Sequence, residues 1–270
     1  MVDGDALSAG LLALRLPRVW PRRRSTAAFE WLIALAWGAL LWWSLAGSGS
    51  GSGSGRAAAG MASIPAGMGS MPGMRMSAHP SAAGAAVIGL PMWTVMSVAM
   101  MLPGALPALS HVSTHSFRWR RGRAMTLFAV VFLGVWTGFG AVALLLAGLL
   151  HAGVAVELGA ALALAGVWQL TTFKRHALID CHRGVPLPPR GWAATAGVTR
   201  FALVNAGACV RACWPAMLAM AFVPGSQMWI WMPALTGLMF TEKLARRPRL
   251  ARRLVAVALV VAALGALVVA

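Results

Sequence analysis

Residues 199–222 read TRFALVNAGACVRACWPAMLAMAF, an apolar run whose only charge after its second residue is Arg211. About 20 apolar residues let an α-helix cross a bilayer. Further runs of this kind lie near 29–46, 85–107, 125–149, 153–173, 226–242 and 251–270. Because a lipid-exposed backbone must satisfy its own hydrogen bonds, each run is expected to be helical. The sequence therefore predicts an all-α fold, a polytopic membrane helix bundle of about seven transmembrane helices.

The composition favours the same fold class. The chain is 59% hydrophobic and 11% charged, with a mean hydropathy of +0.75, which is far from the balance of a soluble domain. Its 23 Lys and Arg against six acids would suit nucleic acid only if they formed a soluble basic face, but they lie between apolar runs. The expected partner is the lipid bilayer, and no nucleic acid.

Connections rich in Lys and Arg alternate along the chain with connections that carry few or none. The tail 1–28 carries five Arg, and 108–124 and 174–198 carry four basic residues each, whereas 150–152 and 223–225 carry none. Basic connections stay on the cytoplasmic side of a membrane, so the N-terminus is expected in the cytoplasm and the C-terminus outside. The Arg-rich start shows no small-residue cleavage site, so the first apolar run is expected to remain as an anchor.

Four parts of the chain follow from this reading. They are a basic cytoplasmic tail (1–28), a first transmembrane helix (29–46), an external connection (47–84) and a six-helix membrane domain (85–270). The connection opens with a Gly-Ser alternation over 47–55, which resembles a natural low-complexity tract as much as an engineered linker.

The external connection then carries methionines and a histidine separated by small residues. Thioethers prefer soft ions such as Cu(I), and a flexible chain with these spacings can close several sulfurs around one ion. The alternative is low-complexity sequence in a Met-rich chain. The candidate ligands here are Met68, Met71, Met74, Met76 and His79, with Met61 further upstream.

Sulfur-containing side chains also recur at helical spacing inside three apolar runs. Residues four apart share a helix face, and counted depths place the cysteines and the first methionines near the same level of the membrane. A shared Cu(I) site and ordinary core packing both fit, because Met and Cys are common buried residues. The stripes are Met92, Met96 and Met100; Cys209, Cys213, Met217 and Met220; and Met228, Met232 and Met239.

Two polar features need partners. Arg211 lies within an apolar run, where an unpaired charge costs at least about 2.5 kcal/mol, and the nearby acids are Glu242, Glu30 and Glu157. His111 and His115, four apart, suit either metal binding or a place at the membrane interface.

Several stretches together resemble a bacterial family described as predicted metal-binding integral membrane proteins of unknown function. The resemblance covers about 85–245 and implies a multi-span protein of the bacterial inner membrane with a sulfur-based metal site, to which Cys181 would contribute. The stretches are 93–103 (WTVMSVAMMLP), 165–174 (AGVWQLTTFK), Cys181 with Arg183, 209–214 (CVRACW), Met217 and Glu242–Lys243.

The chain departs from that family pattern at three places. Ala177 stands where the family usually has Cys, Arg211-Ala212 where it has Gly-Cys, and Asn205 near the position of a His. Two thiols and one imidazole are therefore missing, although His176 and His182 flank Cys181.

Three functions remain open on this reading. The first is binding or moving Cu(I), with capture by the external Met/His stretch and passage to Met96, Met100, Cys209, Cys213 and Met217. The second is a non-catalytic subunit or assembly factor of a membrane oxidase or monooxygenase, and the third is an ion-coupled transporter. No nucleophile–base grouping, phosphate loop, HExxH motif or carboxylate pair is present, so no enzyme activity is expected.

Overall fold

The computed structural model describes residues 23–47, 82–150, 153–181, 183–188, 190–224, 227–244 and 248–268. This part of the chain is all-α and contains no strand. Its eight helices are α1 (Arg23–Gly47), α2 (Ala82–His115), α3 (Arg121–Leu149), α4 (Val154–Leu170), α5 (Thr172–Asp180), α6 (Gly191–Met220), α7 (Met228–Leu244) and α8 (Pro248–Val268).

Four of these helices are long and apolar enough to cross a membrane: α2, α3, α6 and α8. The pair α4 and α5 qualifies together as a fifth, although it bends by 76° between Leu170 and Thr172. In α1 the apolar stretch Thr26–Trp42 is shorter than a span, and α7 has 17 residues. The count of seven spans thus stays a prediction.

The helix ends differ from the sequence expectation in two places. Helix α2 continues to His115, past the apolar run that ends near 107, and α6 begins at Gly191, ahead of the run at 199. Helix α5 lies within the stretch 174–198 that was expected to be a connection. Its start is explained by Thr171, whose hydroxyl accepts a hydrogen bond from the Lys174 amide and so caps the new helix. Hydropathy detects neither polar helix ends nor caps.

Helices α2 and α3 form an antiparallel hairpin around an indole ring. The Nε1 of Trp93 donates to the Trp136 carbonyl at 3.0 Å, and the hydroxyls of Thr94 and Thr137 lie 3.3 Å apart one residue further along. A Cβ added at Gly140 would overlap the Trp93 ring, so the hairpin requires glycine there. Trp93 and Trp136 are fully buried.

Helices α4 and α8 meet along a surface that we call the glycine interface. Gly159 and Gly166 of α4 face Ala256, Val260, Ala263 and Leu267 of α8. A Cβ on Gly166 would lie 2.9 Å from Val260 Cγ2 and 3.4 Å from the Ala256 carbonyl oxygen. Small residues allow this close backbone approach, as they do between membrane helices.

Candidate metal centre

The five sulfur residues proposed as intramembrane ligands are all buried, and we call them the sulfur region. Their exposed fractions do not exceed 4%, and all five belong to one contiguous core cluster. Met220 and Met232 are buried in the same cluster. The sulfur region consists of Met96 and Met100 on α2, and Cys209, Cys213 and Met217 on α6.

Contacts through α3 fix the relative height of these two stripes. The Thr94–Thr137 contact sets α2 against α3. The hydrogen bond from Arg120 to the Thr195 hydroxyl, at 3.0 Å, and the Phe128–Phe201 ring contact, at 5.6 Å, set α3 against α6. Counting at about 1.5 Å per residue from these contacts places Met92 and Met96 level with Cys213 and Cys209, with Met100 about one helical turn beyond Cys209 on the side of Asn205. The first part of the α2 stripe therefore shares a height with the two cysteines of α6.

Side-chain chemistry limits what this part of the chain can bind. The three cysteines are thiols, and no three His, Cys, Asp or Glu side chains within the described ranges are grouped so as to hold a metal ion. A centre with three protein ligands among these residues therefore needs methionine sulfur. Thioether and thiolate together select soft ions such as Cu(I) over Zn²⁺, Mg²⁺ or Ca²⁺.

Prolines interrupt the helices that carry the sulfur stripes. Pro91, Pro103 and Pro107 lie inside α2, Pro215 inside α6 and Pro233 inside α7, and no other described helix has an interior proline. A proline removes the amide that would bond the carbonyl four residues earlier. Each of these helices thus has a carbonyl that needs another donor.

Two tryptophans supply such donors. Pro103 leaves the carbonyl of Ala99 without its helical partner, and Trp37 Nε1 donates to that oxygen at 3.0 Å. Pro215 likewise leaves the carbonyl of Arg211 without its helical partner, and Trp168 Nε1 donates to that oxygen at 3.0 Å. Neither indole donor was predicted from the sequence. The available signal is the proline itself, which stands four residues after the carbonyl that it leaves without an amide partner. Both bonds lie within about one helical turn of a sulfur ligand.

Cys181 ends α5 beside the start of the α6 sulfur stripe. It is half-buried, and its carbonyl accepts a hydrogen bond of 3.0 Å from Asn205 Nδ2. Its amide bonds the Ala177 carbonyl one turn earlier. Asn205 precedes Cys209 by one helical turn, so two of the three departures from the family pattern, Ala177 and Asn205, lie next to Cys181. The missing ligands are thus concentrated at one end of the stripe.

A buried ion pair holds α5 to α7. Lys174 Nζ lies 2.6 Å from Glu242 Oε2, and the two side chains are 4% and 2% exposed. Glu242 Oε1 is also buried and has no hydrogen-bond partner among the described residues. The sequence had placed Glu242 as a candidate partner of Arg211, and the structure assigns it to Lys174 instead. A carboxylate this deeply buried requires its cation.

Arg211 has a different environment from the one expected. Its side chain is 61% exposed, and Nη2 lies 3.4 Å from Asp180 Oδ2 at the end of α5. Its Nε also donates to the Gly207 carbonyl at 3.3 Å. An acid outside the apolar runs therefore balances this charge, and Arg211 points away from the buried sulfur stripe.

The remaining candidate ligands lie outside the described residues. This applies to the whole external set, and also to His182. The set comprises Met61, Met68, Met71, Met74, Met76 and His79.

Comparison with known proteins gives one result. No curated protein and no solved structure matches the chain. A family model matches residues 90–266, a range that includes the sulfur region, the Lys174–Glu242 pair and both Trp93 and Trp168. Because this match covers well over half of the sequence, the chain belongs to the PpoB2 family, whose description is copper chaperone.

Proposed function

We propose that the protein is an integral membrane copper carrier that holds Cu(I) as cargo in the sulfur region. The observation that carries this proposal is that Met96 on α2 and Cys209 on α6, two buried soft ligands of the two stripes, lie at the same height. Membership of a copper chaperone family supports copper as the ion. The chemistry of the ligands supports the reduced form, because thioethers and thiolates favour Cu(I).

The outer surface of the bundle supports a membrane location. Valines on the outward faces of α3 and α8 are strongly exposed: Val130 and Val257 each by 62%, and Val142 by 64%. In water, each such side chain would leave apolar surface that is costly to hydrate. In a bilayer, the lipid covers it. Helices of this length and hydropathy are compatible with insertion, and we propose seven spans in a bacterial inner membrane.

The placement of basic residues supports the proposed orientation. The connections 116–120 and 183–188 with Arg190 lie together. Arg120 bonds Gly191 and Thr195, and the Arg190 guanidinium lies 5.4 Å from the Phe117 ring. Both connections are rich in Arg. Such a basic end stays on the cytoplasmic side, which supports a topology with the N-terminus inside and the C-terminus outside.

The proposed mechanism is ligand exchange without covalent chemistry. The external Met61–His79 stretch captures Cu(I), and the ion then moves to the sulfur region, formed by Met96, Met100, Cys209, Cys213 and Met217. Copper stays Cu(I) at each step, one Cu–S bond forms as another breaks, and no redox partner is required. A role of this kind is non-catalytic, as a chaperone family indicates. Other membrane subunits would act as donors or acceptors of the ion.

The test is copper binding by the purified protein after copper-supplemented growth. Cys209→Ser with Cys213→Ser removes both thiols, and affinity for Cu(I) should fall by more than about tenfold, because loss of even an outer partner of a ligand costs 10–100-fold. Competition with a Cu(I) chelator under anaerobic conditions measures the affinity.

Ala212→Ser is the matched control. It introduces the same hydroxyl on the same helix at a position that is 1% exposed, and copper affinity should not change. Wild-type protein that is metal-free after growth in copper, or a double serine variant that retains full affinity, would refute the proposal.

A further inference from the structure

Two histidines at the end of α2 share a helix face and lie against each other. His111 and His115 are four residues apart, and their ring centroids are separated by 4.1 Å. Imidazoles at this spacing are the arrangement in which one helix offers two nitrogens to one metal ion. His111 is half-buried and His115 is exposed, so an ion held there would be open to other ligands.

The hydrogen bonds of both rings fix which nitrogen carries the proton. His111 Nε2 lies 3.0 Å from the Val185 carbonyl oxygen, and His115 Nδ1 lies 2.9 Å from the carbonyl oxygen of His111. A carbonyl accepts only, so each of these nitrogens must donate. The lone pairs of the neutral rings are then on Nδ1 of His111 and Nε2 of His115.

The Thr114 hydroxyl agrees with this assignment. It donates to the His111 carbonyl at 2.9 Å, so its oxygen accepts from His115 Nδ1 at 3.2 Å. Metal-binding histidines commonly donate their second ring N–H to a backbone carbonyl, which fixes the tautomer and the ring orientation. Both members of this pair have such a bond before any metal is bound.

The pair stands at the end of the α6 stripe. The His111 ring lies 5.5 Å from the Phe201 ring, and a Cβ on Gly184 would touch the same imidazole. Phe201, Asn205 and Cys209 follow one another at four-residue steps on one face of α6. Asn205 bonds Cys181. His111 is therefore about 12 Å along α6 from Cys209, with Cys181 at an intermediate height.

The local charge favours a monovalent ion. Arg120 lines the same small crevice as His115, and its guanidinium bonds the Gly191 carbonyl and the Thr195 hydroxyl. Two neutral imidazoles beside a fixed positive charge disfavour a divalent ion more than a monovalent one. Cu(I) fits this environment better than Zn²⁺ or Cu²⁺.

On this basis we propose that His111 and His115 form a second copper site, from which Cu(I) leaves the protein. This inference rests on the proposed function of the sulfur region. In the transfer, the Cu–S bonds to the α6 cysteines break and Cu–N bonds to the two imidazoles form. Copper remains Cu(I), and each released thiolate takes a proton from water. The exposed side of His115 leaves a coordination position for a ligand of the acceptor protein, as open metal sites do.

The test uses the full-length protein loaded with Cu(I) under anaerobic conditions. His111→Gln with His115→Gln should lower bound copper by about one ion per chain, because each proposed site binds one ion through its own ligands. X-ray absorption at the copper edge should show less nitrogen scattering and unchanged sulfur scattering. His176→Gln, an exposed histidine on α5, is the matched control and should leave both unchanged.

Further variants separate this inference from the proposed function. In the background of Cys209→Ser with Cys213→Ser, nitrogen scattering should remain and should fall when His111→Gln and His115→Gln are added, which separates the histidine site from the sulfur region. His115→Gln by itself alters an exposed side chain, so loss of nitrogen scattering in this variant is not a folding defect. If the double histidine variant keeps the copper content and nitrogen scattering of the His176→Gln control, the second site is refuted while the sulfur region stands. Wild-type protein without copper refutes both.

Discussion

The glycine interface and the sulfur region hold their helices together by different means. In the glycine interface, two residues without side chains let uninterrupted helices approach each other closely. In the sulfur region, every helix has an interior proline, and two of the carbonyls released by proline bind an indole N–H. The difference is that α4 and α8 form a scaffold through close backbone packing, whereas the soft ligands lie on helices in which proline interrupts the backbone hydrogen bonding.

The Lys174–Glu242 pair joins α5 to α7, belongs to neither region, and contrasts with the glycine interface in its use of charge. Lys174→Met would leave the buried Glu242 carboxylate without its cation, and we expect a loss of about 3–5 kcal/mol in the free energy of unfolding. Adding Glu242→Leu should recover most of that loss, because an apolar pair of similar volume can replace a buried ion pair. Thermal unfolding in detergent measures both effects. Equal stability of the single variant and the wild type would show that α7 is not anchored by this pair.

The stability of the glycine interface should depend on side-chain volume alone. Gly166→Ala places a Cβ 2.9 Å from Val260 Cγ2, and overpacking of this kind costs about 1–3 kcal/mol. Gly138→Ala on α3 is the matched control, because nothing lies within 4 Å of its added Cβ; it should be neutral or stabilising by about 0.5–1 kcal/mol. Copper affinity should be unchanged in both. A loss of copper in Gly166→Ala would remove the distinction between scaffold and site.

Hydropathy was sufficient to predict the helical class and the apolar stretches of the longer helices. The all-α fold is confirmed for the described residues, because an apolar run of spanning length has few alternatives to a helix. The 76° bend after Leu170 was not predicted, since it depends on the Thr171 cap and on packing of α5 against α6. Such a break changes little in the hydropathy averaged over a window of about 20 residues.

For the candidate site, the sequence predicted which sulfur side chains share a helix face. It did not predict which polar side chains pair with each other. Spacing of four residues placed Cys209 and Cys213 on one face, and both are buried. Their role as ligands stays a prediction. The pairing of Lys174 with Glu242 could not be predicted from sequence, because the two residues lie 68 positions apart and Arg211 was an equally charged alternative. Only the three-dimensional packing of α5 against α7 decides between them.

The smallest effect expected concerns the bond between Trp168 and the carbonyl that Pro215 releases. Trp168→Phe keeps an aromatic ring but leaves the Arg211 carbonyl without this donor, at a cost of about 1–2 kcal/mol. Pro215→Ala restores an amide at position 215, so the carbonyl regains its partner within the helix. Trp168→Phe should therefore cost less in the Pro215→Ala background, and a double-mutant cycle of unfolding free energies measures the difference.

Trp192→Phe is the control for loss of an indole, because this side chain is 83% exposed and its replacement should change stability by less than about 0.5 kcal/mol. If Trp168→Phe costs the same with proline or alanine at position 215, the indole contributes only packing. The contrast between the two regions would then lie in their sulfur ligands alone. A coupling of about 1 kcal/mol would show instead that the indole compensates for a proline break beside Cys213. The proline break with its indole donor and the soft ligands would in that case belong to one structural unit.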